Sequence, residues 1–487
     1  MKKIVIIGAG LGGLSAAITL QHAGYQVTVI EKNEHAGGKL HPVKVGEASF
    51  DFGPNTITMP HIFNEVIEQT GESPLDYMEF LPLESHTTNA FKDGSSFRFS
   101  SNHEILKEEL ATMRAGEADK VDDYLQEVKR LYELSERYFL RRTFSSWRDY
   151  LSAPLAKAMI KSRPLESLDH FHRRYFKDER VIAAFNRYAT YIGSSPFSSP
   201  ATFGMIGHLE LTQGVFYTKG GNVQIATGFK RLAEKLGVLF HFSEEVKQIH
   251  VVKSRASRVE TTKGSYLADL VILNGDLLTQ VPKLISEKSR PSLKDKNFAS
   301  YEPSISAYVI MAETDKRFPL NHHHVFFGDD PKKEFSSIFD HNQYGKDPTM
   351  YICTSSKTEP SRSRRGDNLF ILANAPALQN KMTQQVPSPA FFYERLEEFG
   401  LQVKPHILDS TEVTPAKISH SFNAFYGALY GISSNKRKDT FLRPYNKSTD
   451  IDNLYFVGGS THPGGGSPMV TLSGMNVAKQ VIRTVGN

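Results

Sequence analysis

Several things are scarce in this sequence, and each scarcity excludes something. Cys353 is the only cysteine in 487 residues, so no intramolecular disulfide can staple the fold and a reducing, cytoplasmic setting is expected. No stretch of about eighteen apolar residues occurs, which argues against a spanning helix. The apolar run after Met1-Lys2-Lys3, Ile4 to Ile7, is too short for a signal sequence and runs straight into glycines, so it reads as a buried strand. Charge of one sign is not in large excess. The 58 basic and 53 acidic residues leave +5, which is no footprint for nucleic acid but permits weak attraction to an anionic membrane surface. There is no G-x-S-x-G nucleophile elbow, no Walker lysine loop and no internal repeat. What remains is a globular composition, 39% apolar and 23% charged, of a length that suits two intertwined domains.

The strongest pattern is at the start. Lys3 to Ile7 reads as a buried parallel strand, Leu11 to His22 as a helix stopped near Gly24, and Gln26 to Ile30 as a second strand closed by Glu31. Between strand and helix lies Gly8-Ala9-Gly10-Leu11-Gly12-Gly13, in which Gly8, Gly10 and Gly13 satisfy G-x-G-x-x-G. Gly8 allows the tight turn, Gly10 lets backbone approach a pyrophosphate, and Gly13 lets the helix pack close to the strand. The helix start offers free N–H groups to phosphate, and Glu31, with Lys32 after it, stands where a carboxylate accepts ribose hydroxyls. Gly37-Gly38 follows six residues after Glu31. A second glycine pair brings another backbone segment to a longer cofactor, which turns the reading from NAD to FAD. Near the C-terminus, the strand Asn453 to Val457 leads into Gly458-Gly459-Ser460-Thr461-His462-Pro463-Gly464-Gly465-Gly466 and a helix from Met469-Val470 to Val485. A helix start there would stabilise negative charge on a reduced flavin.

These residues resemble a known family. Val457 to Gly466 is similar to the terminal signature of bacterial carotenoid desaturases and their oxygenase relatives, as are Phe50-Asp51-Phe52-Gly53-Pro54, Thr58-Met59-Pro60, Tyr191 to Pro196 and Phe216 to Gly221. The spacing holds along the whole chain. Within the family the C30 branches resemble it best. Ser467 to Gly474 and Pro54 to Pro60 are closer to the diaponeurosporene oxygenases, whereas Tyr138 to Thr143 is closer to the dehydrosqualene desaturases. Lys39 stands where related flavoproteins often carry Arg; it can neutralise phosphate without the planar fork.

The resemblance implies an FAD enzyme at a membrane surface, acting on a long linear polyene in carotenoid biosynthesis. Hydride loss from an allylic carbon leaves a cation that the polyene itself delocalises. Loss of a proton then gives a double bond, and addition of water at a terminal methyl gives an alcohol. The resemblance also implies Val246 as the adenine neighbour and puts Asp276 near the same half of the cofactor. Two other classes stay open: a flavin amine oxidase, and a prenyl-lipid carrier of the same fold without redox chemistry.

The fold class expected is α/β, with a doubly wound Rossmann-type FAD domain of the amine-oxidase-like superfamily built from 1–85, 216–290 and 416–487. An inserted mixed α+β substrate domain fills 86–215 and 291–415. No catalytic side chain stands out; Glu210 and His462 are candidate proton acceptors near the flavin. A continuous helical pattern covers Leu106 to Arg142. Trp147 beside Arg148, followed by an amphipathic segment 151–163 with Leu151, Leu155, Met159 and Ile160, could form a membrane-dipping entrance. The run His322-His323-His324 is read as the entry to a strand and not as a metal site, because alternate strand side chains point oppositely and no Cys or acidic spacing nearby completes a site. Oligomeric state leaves no signal in the sequence.

Overall fold

A computed structural model describes residues 1–379 and 385–486. Residues 380–384, within the expected substrate domain, and Asn487, at the end of the expected FAD domain, lie outside the described residues.

A five-stranded parallel sheet organises the N-terminal motif, in the order Leu454–Val457, Leu270–Asn274, Lys3–Ile7, Gln26–Ile30, Leu239–His241. The central strand is β-branched because both its faces are covered. Ile4 and Ile6 point into a core with the helices Leu11–His22, Gln224–Leu236 and Ser467–Val485. Val5 and Ile7 point into a second core with Ile249, Val259 and Val281, from a three-stranded antiparallel sheet and the helix Leu277–Leu284. The sheet thus gathers strands from three separated stretches of chain.

The helices Leu11–His22 and Ser467–Val485 cross at contact distance. A Cβ on Gly474 would sit 2.1 Å from both the Gly12 carbonyl and Ser15 Oγ, and the Ser15 hydroxyl donates to the Thr471 carbonyl at 2.8 Å. That crossing brings the two glycine loops, separated by some 450 residues of chain, to one place.

A second, seven-stranded mixed sheet runs Ile407–Val413, Ser306–Thr314, Asn368–Ala375, Met350–Thr354, His323–Phe326, Ser85–Ala90, Ser96–Ser100. Ser306–Thr314 is buried along its length. The hairpin His41–Val45/Ala48–Phe52 packs onto this sheet through Phe50 and Phe52 against Ala307, Val309 and Phe370.

The helical middle differs from the sequence reading. The pattern from Leu106 to Arg142 is broken into His103–Met113, capped by Asn102, and Val121–Ser135, which runs on into a π-helical turn Glu136–Leu140. Gly116 at φ +77° lies in the break, a conformation that an α-helix cannot contain. The segment expected at 151–163 is the helix Ala153–Lys161. Its Leu155 is buried with Phe139 and Phe144 instead of facing outward, whereas Trp147, Leu151, Ile160 and Leu165 are exposed. Among the described residues no helix is long and apolar enough to cross a membrane.

Candidate functional site

Two uncapped helix starts open onto one elongated cavity of about 340 Å³. The N-cap residues are Gly10 and Gly466, neither offers a side-chain cap, and neither first turn holds an acidic residue. Their first N–H groups therefore lack an internal acceptor, and both positive dipole ends face the same space. The glycines make this possible. Gly8 holds φ +100°, and a Cβ there would lie 2.1 Å from the Asn274 carbonyl. The second pair closes onto the first: the Gly37 N–H donates to the Ala9 carbonyl at 2.8 Å, and a Cβ on Gly38 would stand 3.3 Å from the Gly10 Cα.

Glu31 is buried at the end of its strand. Its Oε2 accepts from the Ala9 N–H at 2.8 Å and its Oε1 from the Asn33 N–H at 2.9 Å. The carboxylate thus braces the glycine loop and keeps lone pairs for hydroxyls on the cavity side. Val246 lines the same cavity, as do Leu11, Gly12, Lys32, Gly458, Gly459 and Val470.

Two expected cofactor residues do not line it. Gly13 serves the turn itself: a Cβ there would meet the Gly8 carbonyl at 2.2 Å. Met469 and Val470, on the first turn of the C-terminal helix, both pack partly buried against the core, and of the two only Val470 lines the cavity.

Lys39 lines the cavity, but its ammonium donates to the Ala428 and Leu429 carbonyls at 3.0 and 2.7 Å. Burial lowers it to about 8, partly opposed by the Asp276 carboxylate. It therefore ties residues 428–429 to the glycine loop. Lys32 donates likewise to the His420 carbonyl at 3.0 Å. Asp276 caps the helix Leu277–Leu284 by accepting from Leu278 N–H, and also accepts from Phe425 N–H at 3.0 Å; burial raises its pKa. Pro54, Asn274 and the stretch Leu429-Tyr430-Gly431 also line the cavity. The sequence reading assigned none of them to the cofactor, although Pro54 lies in a motif that carries the family resemblance; Gly431 holds φ +75°.

A second cavity, of about 190 Å³, meets the first at Gly53, Pro54, Tyr430, Gly466 and Ser467. Its walls carry Arg187, Tyr191, Tyr351, Glu334 and Asn374 among Ile305, Val325, Phe327 and Phe335. Glu334 accepts from Thr349 N–H and from the Asn374 amide, both at 3.0 Å. Burial raises its carboxyl to about 7.

Both candidate proton acceptors are corrected by the structure. Glu210 is fully buried behind the second cavity, where it accepts a hydrogen bond from the Tyr191 hydroxyl and pairs with Arg187 at 3.6 Å. His462 donates from Nε2 to the Phe139 carbonyl at 2.8 Å and stands edge-on to Phe144; burial lowers it to about 4. Neither lines either of these two cavities, and each is held by the contacts just named. The objection to a histidine metal site also fails in part. His322 precedes the strand His323–Phe326, so strand alternation does not govern it, and Cys353 lies directly across from His323.

An extended cavity with two uncapped helix starts, a close-packed second glycine pair and a braced acid fits a dinucleotide carrying a further ring system, and defines a flavoprotein. The family model for flavin containing amine oxidoreductases matches residues 11–482. The chain is 34% identical to the 1-hydroxycarotenoid 3,4-desaturase of a Flavobacterium species, covering 99% of this chain and 100% of that one. It is 32% identical to the 4,4'-diapolycopene oxygenase of a Methylomonas species, over 99% and 98%, and 30% identical to the 4,4'-diaponeurosporene oxygenase of Staphylococcus aureus, again over 99% and 98%. A putrescine oxidase structure shares the fold with a TM-score of 0.64 at 12% identity, over 99% of both chains. An oxidoreductase of Methanosarcina mazei does so with 0.61 at 18%, over 98% and 100%. The chain belongs to the flavin-containing amine oxidoreductase family and, within it, to the carotenoid desaturases and oxygenases. It is an FAD-dependent oxidoreductase.

Proposed function

We propose that this enzyme oxidises a terminal methyl group of a long linear polyene of the C30 carotenoid class. When bound, FAD supplies the hydride acceptor. The protein's own task is to hold the polyene end where the two cavities meet, at Tyr430, Gly466 and Ser467, and to control which nucleophile reaches it. The observation that carries the oxygenase reading is the polar wall of the second cavity. Arg187, Tyr191, Tyr351, Thr349, Asn374 and Glu334 can hold water beside a hydrocarbon that has no use for such groups itself. Glu334 replaces Glu210 and His462 as the group to take a proton, because it faces the cavity and ionises near neutrality. Desaturation is the second reading, favoured by the relative at 34% identity that is named as a desaturase.

The test is product mass in a bacterium that makes C30 polyenes. Gain of oxygen with loss of hydrogen at an end methyl supports the oxygenase reading. Loss of two hydrogens per step replaces it with desaturation, and unchanged pigment with FAD bound overturns the substrate class.

We further propose that the enzyme works peripherally on a cytoplasmic membrane face. Trp147, Leu151, Ile160 and Leu165 are exposed on a short stretch of chain that also carries Arg148, Lys157 and Lys161, apolar side chains interspersed with cations. Flotation with anionic vesicles checks this. The triple variant Trp147→Ser, Leu151→Ser, Ile160→Ser is expected to stay with the unbound protein, and normal flotation would remove the idea. Leu155, being buried, is not a suitable probe.

A further inference from the structure

Beside the second cavity lies a buried cluster that the flavin chemistry does not use. His322, His323 and Cys353 each bring a potential ligand atom within 4.8 Å of the others, and all three residues are buried. The pairing of the strands His323–Phe326 and Met350–Thr354 sets His323 opposite Cys353, and His322, just outside the strand, turns its ring to 4.5 Å from that of His323. His324 goes the other way and stacks on Phe326.

The imidazoles are held at one nitrogen and free at the other. His322 Nδ1 is hydrogen-bonded to Thr358 Oγ1 at 2.5 Å, and His323 Nδ1 to the Tyr351 hydroxyl at 2.8 Å. Both Nε2 atoms are buried without a partner. Leaving two such atoms unmade in a dry interior is costly. The pattern is that of metal-bound histidines, in which the second ring nitrogen is fixed by a hydroxyl, carboxylate or carbonyl and the first is left for the ion.

We propose that His322, His323 and Cys353 form a three-coordinate site for copper(I). Two imidazoles and one thiolate are donors that a soft monovalent cation accepts in threefold geometry, whereas zinc seeks a fourth ligand. Charge decides the same way. The site is buried, and adding an uncompensated positive charge to a buried site is costly. Copper(I) with one thiolate is neutral: the Cys353 S–H bond gives its proton to solvent and an S–Cu bond replaces it. Ligand atoms around such an ion stand about 3.5–4 Å apart for bonds of about 2.0–2.3 Å, so the cluster closes by about an ångström. The ion would clamp the two strands and fix Tyr351, whose side chain lines the second cavity.

The experiment uses the full chain with FAD bound, produced in copper-supplemented medium because the ligands are buried. Copper per flavin is measured after dialysis against a copper(I) chelator. About one copper per FAD is expected in the wild type. A loss of at least tenfold, with FAD content unchanged, is expected in Cys353→Val and in His322→Gln. X-ray absorption at the copper edge should show one sulfur and two nitrogen neighbours. Less than about a tenth of a copper per FAD in the wild type, zinc in its place, or equal copper in both variants would overturn the proposal. If either variant loses FAD, the wild-type spectrum decides, and the absence of a sulfur neighbour overturns it.

Discussion

The two cavities are built by opposite means. Around the flavin, backbone does most of the work: glycine turns, helix starts and one acid that accepts backbone N–H groups. In the adjoining cavity, side chains from well-separated stretches meet, among them Arg187, Tyr351, Glu334 and Asn374. A backbone-built site recognises a fixed cofactor and tolerates no side chain at its close approaches. A side-chain-built site can change its chemistry residue by residue while the cofactor stays in place, which suits a family containing both desaturases and oxygenases.

If this contrast holds, damage should separate by cavity. The largest effect is expected for Gly13→Val, whose Cβ would lie 2.2 Å from the Gly8 carbonyl. The helix start must shift, at a cost of about 3 kcal/mol or more, and FAD content measured by absorbance should fall more than tenfold. Next is Glu334→Gln. Burial raises this carboxyl from 4.5 to about 7, so the folded chain keeps a proton that the unfolded chain has lost. Stability should therefore drop as pH rises from 4.5 through about 7, by up to about 3 kcal/mol. Thermal melts at pH 5 and pH 8 should show this drop in the wild type and lack it in the variant.

A smaller effect is expected for Tyr191→Phe, which removes a hydrogen bond to buried Glu210. Turnover should fall about tenfold, or about 1.4 kcal/mol, with FAD content unchanged; loss of FAD instead would break the separation between the cavities. The smallest belongs to Met469→Ala. Because Met469 packs against the core and does not line the cavity, FAD affinity should change by less than about twofold.

The residues that line the first cavity were largely legible in advance. G-x-G-x-x-G, the acid after the second strand, the second glycine pair and the terminal loop are local patterns, and most of those residues line one cavity. The misses are instructive. Met469 and Val470 share a helix turn, and only packing decides which of them faces the cavity. Lys39 lines the cavity as expected, and only the structure shows that its ammonium also meets two carbonyls of a distant loop. Glu210 and His462 were the ionisable groups that sequence proximity offered, whereas Glu334, the carboxyl at the cavity, stands on a helix with no motif around it.

By itself, then, the sequence determined the central parallel strands, the glycine turns and the cofactor class. Each depends on short-range constraints: the periodicity of a buried strand, a backbone angle open only to glycine, a carboxylate at a strand end. Tertiary structure alone decided that the two glycine loops share one cavity, through the helix crossing at Gly474. It also decided that Leu155 is core while Leu151 and Ile160 face out, and that Cys353 lies beside two histidines. Those outcomes depend on contacts between residues far apart in the chain, and burial acts on them only once the chain has closed.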